Sequence, residues 1–190
     1  MGLLSSFHDA EIDLFRTMNL AGSNDALDSI MLLFTFLGIS YVIIFVWLPL
    51  WLQGRKDAAF DVLILVVLAT VAAEILKLIV DRSRPSLELD DVNTIVSASG
   101  PSFPSAHATR AFAVACLIWI VEPRRYGVVA VIVASLIAVS RVYIGVHWPT
   151  DVLAGAVLGV AIAVVFMNFT KHSVRYQRVR KKIIDTFGRG

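Results

Sequence analysis

Three short stretches of the sequence carry side chains that could act together on an anion: Lys77 with Arg84 and Pro85, then Pro104-Ser105-Ala106-His107, then Ser140-Arg141 followed by His147 and Asp151. An ammonium is a point charge and a guanidinium a planar fork, and the two together suit the oxygens of a phosphoryl group. Pro85 blocks helix continuation after Arg84, so this guanidinium can be fixed on a rigid turn beside Lys77. Lys77 can equally pair with Glu74, three residues earlier on the same helix face. Ser105 suits a helix N-cap. The free N–H groups of the turn it opens also make an anion site, with the Ser105 hydroxyl and His107 in reach. Arg110, one turn beyond His107, either extends the positive field or snorkels.

In the third stretch Pro149 suits the first turn of a helix, which sets His147 just before that helix and Asp151 inside its first turn. A carboxylate there can accept from one imidazole nitrogen and leave the other free as a nucleophile. The plainer alternative is an ordinary interfacial Asp–His contact.

The elements that must position these groups are made for lipid. The chain of 190 residues is 57% hydrophobic and 17% charged, with a mean hydropathy of +0.76. Those values predict one all-α integral membrane domain over residues 1–190. Residues 7–20 set Ile12, Phe15 and Met18 near helical spacing among Asp9, Glu11, Asp13 and Arg16, which predicts an amphipathic helix along the interface. Five transmembrane helices are expected, over 26–52, 58–80, 105–122, 126–144 and 150–170, in a compact bundle. Asn24-Asp25 caps the first, and Trp47 and Trp51 around Pro49 mark its interfacial end. Gly155 and Gly159 have the spacing of close helix packing inside the bundle. Cys116 is the single cysteine, so no intramolecular disulfide forms. No cleaved signal peptide is expected, because no basic segment precedes the first apolar run.

The basic residues orient the bundle. Arg16 is alone in the first 25 residues, the loops at 53–57 and 123–125 hold two each, and the tail from 171 holds seven. By the positive-inside rule the tail (171–190) is cytoplasmic and the N-terminus is outside. Lys77, Arg82, Arg84, Arg110 and Arg141 remain, all near the non-cytoplasmic ends of the second to fourth spans. They break the charge rule together, which points to a shared anionic ligand.

The order Lys-x6-Arg-Pro, Pro-Ser-x-His, Ser-Arg-x5-His-x3-Asp, over residues 77–151, resembles the type 2 phosphatidic acid phosphatase (PAP2) superfamily. The resemblance implies a metal-independent membrane phosphatase without a cofactor. His147 would attack phosphorus and form a phosphohistidine, Asp151 would orient it, and His107 would protonate the leaving oxygen and then activate water. Lys77, Arg84 and Arg141 would bind the phosphate, joined by Ser105 and the N–H of Ala106. Two departures stand out. The family usually has glycine where Ala106 brings a methyl group, and its membrane members commonly have six spans against five here.

The expected substrate is a lipid phosphate, a polyprenyl diphosphate of the carrier-lipid recycling type first, with phosphatidate or phosphatidylglycerol phosphate as alternatives. A non-catalytic lipid-phosphate binding or transport protein is the alternative of another class. Membrane lipids are the expected surroundings and nucleic acid is not an expected partner. The oligomeric state is left open.

Overall fold

Caps and prolines fix where most helices begin. The structure is a computed structural model that describes residues 2–20 and 24–187. It contains α1 (Gly2–Leu20), α2 (Asp25–Leu37), α3 (Ser40–Ile43), a 3₁₀ turn (Ile44–Val46), α4 (Trp47–Leu52), α5 (Lys56–Val80), α6 (Pro85–Glu88), α7 (Ala106–Val121), α8 (Arg124–Tyr143), α9 (Pro149–His172) and α10 (Val174–Phe187). Asn24 caps α2 by accepting from Leu27 N at 3.0 Å, and Pro149 takes the first position of α9. Asp81 ends α5 in the left-handed region at φ 46°. The chain then leaves the helix at Arg82.

Helix α7 lies between α5, α8 and α9. Small residues make that possible: Ala108, Ala111, Ala113 and Ala115 of α7 are all buried. A methyl at Gly155 would come within 2.6 Å of the Ser105 carbonyl oxygen, and one at Gly159 would collide with that of Thr109. The glycine pair therefore serves internal packing, as its spacing predicts.

Among the described residues, Lys56–Glu88, Arg124–Tyr143 and Pro149–His172 are each long and apolar enough to cross a membrane. The chain is an all-α integral membrane protein. In detail the helices differ from the simplest reading of the sequence. The first span is not one helix: α2 and the α3–α4 segment meet at 67°. Gly38 closes α2, and its carbonyl oxygen accepts from Arg110 Nη2 at 3.0 Å instead of continuing a helical ladder. Helix α7, with 16 residues, is apolar but shorter than the other spans. Helix α1 does more than lie along an interface, because Glu11, Phe15 and Asn19 form a buried stripe at helical spacing. Asn19 Nδ2 donates to the carbonyls of Asn93 and Tyr143 at 2.8 and 2.6 Å, and Phe15 packs against Trp148 in a tilted pair with ring centroids 5.3 Å apart. The basic tail is likewise structured as α10 through Phe187 and docks on the start of α5, while residues 188–190 lie outside the described residues.

Candidate active site

The start of α9 is the anchor of the site. Asp151 Oδ2 accepts from the Trp148 backbone N–H at 2.9 Å and lies 3.4 Å from His147 Nδ1. Ser105 N donates to the Asp151 carbonyl at 3.0 Å, which ties the start of α7 to the start of α9. His147 is 3% exposed and Asp151 is fully buried. Burial pushes the His147 imidazole down to about 4, against the opposing effect of its hydrogen bond to Asp151 and with help from the Arg141 charge. The ring is therefore neutral near pH 7. With the Nδ1 proton held toward Asp151, Nε2 carries the free lone pair.

A second tier holds the carboxylate. Arg82 Nη1 donates to Asp151 Oδ1 at 2.8 Å and to Thr150 Oγ1 at 2.7 Å, while its Nη2 reaches Glu11 Oε2 at 2.6 Å. Glu11 Oε1 accepts from Thr150 N at 3.1 Å and from the Thr150 hydroxyl. Trp148 completes the hub: its Nε1 donates to the Ser83 carbonyl at 3.0 Å, and Arg82 sits 5.2 Å over its ring.

The cations around the two imidazoles differ in what they touch. Arg84 is buried, and its guanidinium donates to the carbonyls of Gly100, Val146, Ser99 and Pro101 at 2.7–3.1 Å, so it also fixes the loop before His147. Lys77 donates to Glu74 at 3.0 Å, the plainer of its two readings. Arg141 is 6% exposed. Its Nε is buried without a hydrogen-bond partner, and among the described residues its guanidinium has no hydrogen bond or ion pair. Arg110 Nη2 lies 3.5 Å from His107 Nδ1. Ser105 caps α7 by accepting from Ala108 N at a long 3.5 Å, and Ala106 beside it is 5% exposed. All three stretches therefore converge on one end of the bundle. Among the described residues, no three of the His, Cys, Asp and Glu side chains group as metal ligands would.

The sequence pattern of the PAP2 superfamily matches residues 58–175, which contain all three stretches. The chain belongs to the PAP2 superfamily. The bacitracin transport permease protein BcrC of Bacillus licheniformis is 30% identical over 195 residues, covering 95% of this chain and 94% of its own length. The undecaprenyl-diphosphatase BcrC of Bacillus subtilis (strain 168) is 30% identical over 163 residues, 83% of either chain. Among solved structures, Aquifex aeolicus LpxE superposes with a TM-score of 0.77 at 30% identity, over 83% of this chain and 94% of that one.

In this PAP2 protein the residues that sequence reasoning missed are those acting at long range. Arg82 stood out only as one of five cations gathered at one end, and Glu11 only as one of several acids on α1. The signal that could have found Glu11 is its spacing, one helical turn before Phe15 and two before Asn19, which puts a carboxylate on a buried stripe.

Proposed function

We propose that this protein is a metal-independent lipid phosphatase that hydrolyses a polyprenyl diphosphate to the monophosphate and inorganic phosphate. Membership of the PAP2 superfamily makes it a membrane phosphatase. The observation that carries the anionic substrate is Arg141, a buried guanidinium that has no hydrogen bond or ion pair among the described residues. A buried charge of that kind is costly unless something pairs with it. The polyprenyl diphosphate rests on the undecaprenyl-diphosphatase relative.

In the first step His147 Nε2 attacks the terminal phosphorus and forms a P–N bond as the bridging P–O bond breaks. The electron pair leaves with the bridging oxygen of the lipid monophosphate, which takes a proton from His107. Arg141, Arg84, Lys77 and the first turn of α7 at Ser105 and Ala106 stabilise the charge on the three equatorial oxygens. In the second step His107 takes a proton from water, the hydroxide attacks phosphorus, and the P–N bond breaks to release phosphate. Asp151 accepts from Nδ1 throughout and stabilises the positive ring. Neither step calls for a metal ion. We further propose that the N-terminus and the site face the non-cytoplasmic side, and that the basic tail faces the cytoplasm.

The test is phosphate release by the purified protein in detergent and chelator. Polyprenyl diphosphate would be compared with polyprenyl monophosphate, phosphatidate and phosphatidylglycerol phosphate. We expect release fastest from the diphosphate, and His147→Ala to reduce it by about 10⁴-fold or more while the protein stays folded. Wild-type-like release by that variant would remove His147 as nucleophile. Tight binding of these lipids without any release would favour a binding or transport protein instead.

A further inference from the structure

Arg110 is a cation that the phosphate-binding set above does not use. It is 4% exposed, its Nε is buried without a hydrogen-bond partner, and among the described residues it has no ion pair. The carboxylate whose charge reaches it, Glu74, is already paired to Lys77 at 3.0 Å. Its Nη2 donates to the Gly38 carbonyl at 3.0 Å and lies 3.5 Å from His107 Nδ1. Gly38 sits at the bend between α2 and α3, where a methyl group would come within 2.8 Å of His107 Cδ2 and 2.6 Å of Ile137 Cγ2. The bend thus supplies a bare carbonyl that steers one arm of the guanidinium and leaves no side chain between it and the imidazole.

We propose that Arg110 binds the second phosphate of a diphosphate ester, the one that departs with the lipid. The inference rests on the phosphatase reading, in which His107 protonates the leaving oxygen. In a diphosphate that oxygen bridges to another negatively charged phosphoryl group, which must lie beside His107 on the side away from His147. Arg110 is the guanidinium one helical turn along from His107 and in contact with its ring. A phosphate monoester presents an uncharged alcohol oxygen at the same point and gives Arg110 nothing to pair with. The cations therefore divide into two groups. Arg84 and Arg141 serve the transferred phosphoryl group, whereas Arg110 selects for a leaving group that is itself anionic.

The experiment compares wild type, Arg110→Gln and Arg110→Lys, as full chains in detergent, by two readouts. The first is kcat/KM on polyprenyl diphosphate and on phosphatidate. The second is thermal stabilisation by inorganic pyrophosphate and by orthophosphate, which needs no turnover. We expect Arg110→Gln to lose about 10²-fold on the diphosphate and less than about threefold on the monoester, with the advantage of pyrophosphate over orthophosphate gone. Arg110→Lys keeps the charge but not the fork and should lose part of the selectivity. It carries the comparison if the glutamine variant does not fold. Equal losses on both lipids would overturn the proposal and leave Arg110 as a strut for Gly38. So would a wild type without preference for pyrophosphate, or an unchanged preference in both variants. If wild type releases phosphate from neither lipid yet prefers pyrophosphate through Arg110, the phosphatase reading falls and the subsite stands.

Discussion

At the end of the bundle where α10 meets α5, Asp61 accepts from the Tyr176 hydroxyl at 2.6 Å and from Arg180 Nη1 at 2.5 Å, and Arg180 also reaches Asp57 at 3.2 Å; at the other end, Arg141 and Arg110 are as deeply buried and, among the described residues, have no ion pair. Both ends take charge out of water, but only one returns the partner. The Asp61 cluster closes on itself and docks a helix. The Arg141 cluster has no such partner among the described residues, which fits the anion site proposed for it. Helix α5 illustrates the contrast within one element, since it carries Asp61 near its start and leads into Arg82 and Arg84 just beyond its end.

Replacing Arg141 tests this contrast most strongly. Arg141→Met should lower turnover by about 10²–10³-fold, the cost of removing a charged donor from a developing oxyanion. It should also raise the melting temperature, because an unpaired buried charge is exchanged for an apolar side chain of similar length. A variant that is both inactive and less stable would mean that Arg141 holds the fold, and the division between lock and site would fail.

Asp61→Asn should do the reverse. Removing one partner of a closed, buried cluster costs about 1–3 kcal/mol, so thermal unfolding in detergent should come earlier while kcat stays within about twofold. A large loss of kcat without a loss of stability would mean that the two ends are coupled through α5.

The ends were unequally legible from sequence. The site end carried its own signals: Lys77, Arg84, Ser105, His107, Arg141, His147 and Asp151 stand at spacings that chemistry needs, and Pro149 and Asn24 mark helix starts by mechanisms that act within a turn. The α10 end carried almost none. Asp61 reads as one polar residue at the head of an apolar run, and the tail reads as a topology signal, until Tyr176 and Arg180 arrive from more than 100 positions away. The bend at Gly38 was hidden for the same reason. Its hydropathy is that of an unbroken span, and the carbonyl freed at the bend meets Arg110, 72 residues on. Periodicity reports the face that a helix buries but not which distant carbonyl or carboxylate meets it.

Arg82 stands between the two behaviours, a paired cation inside the site. With Arg82→Gln, the Asp151 charge is shared only by Trp148 N and His147, which favours the imidazolium. The other groups facing His147 are Asp151, which acts in the same direction, and Arg141 and Arg84, which oppose it; His107 is the facing imidazole. If the acid limb of kcat/KM reports His147, whose imidazole burial pushes down to about 4, it should move up by about one pH unit. Activity would then be lost below about pH 5–6 and nearly kept at pH 8. Arg82→Lys should recover most of the shift. An unmoved limb in a folded Arg82→Gln protein would make Arg82 a purely structural tie between α1 and α9.

The smallest expected effect belongs to Lys77, whose pairing lies between lock and site. Its Glu74 partner has 55% of its side chain exposed, while the Lys77 side chain is 15% exposed. An exposed carboxylate contributes about 0–1 kcal/mol to such a pair, far less than a phosphate dianion could offer the same ammonium. If Lys77 binds the phosphate as proposed, Glu74 therefore competes weakly with substrate for it. Glu74→Gln should lower KM for the lipid diphosphate by about twofold, leave kcat unchanged and weaken as salt is raised, because the competing charge is screened. A rise in KM would show instead that Glu74 aims the ammonium at the phosphate, and Lys77 would then belong to the site only through its acid.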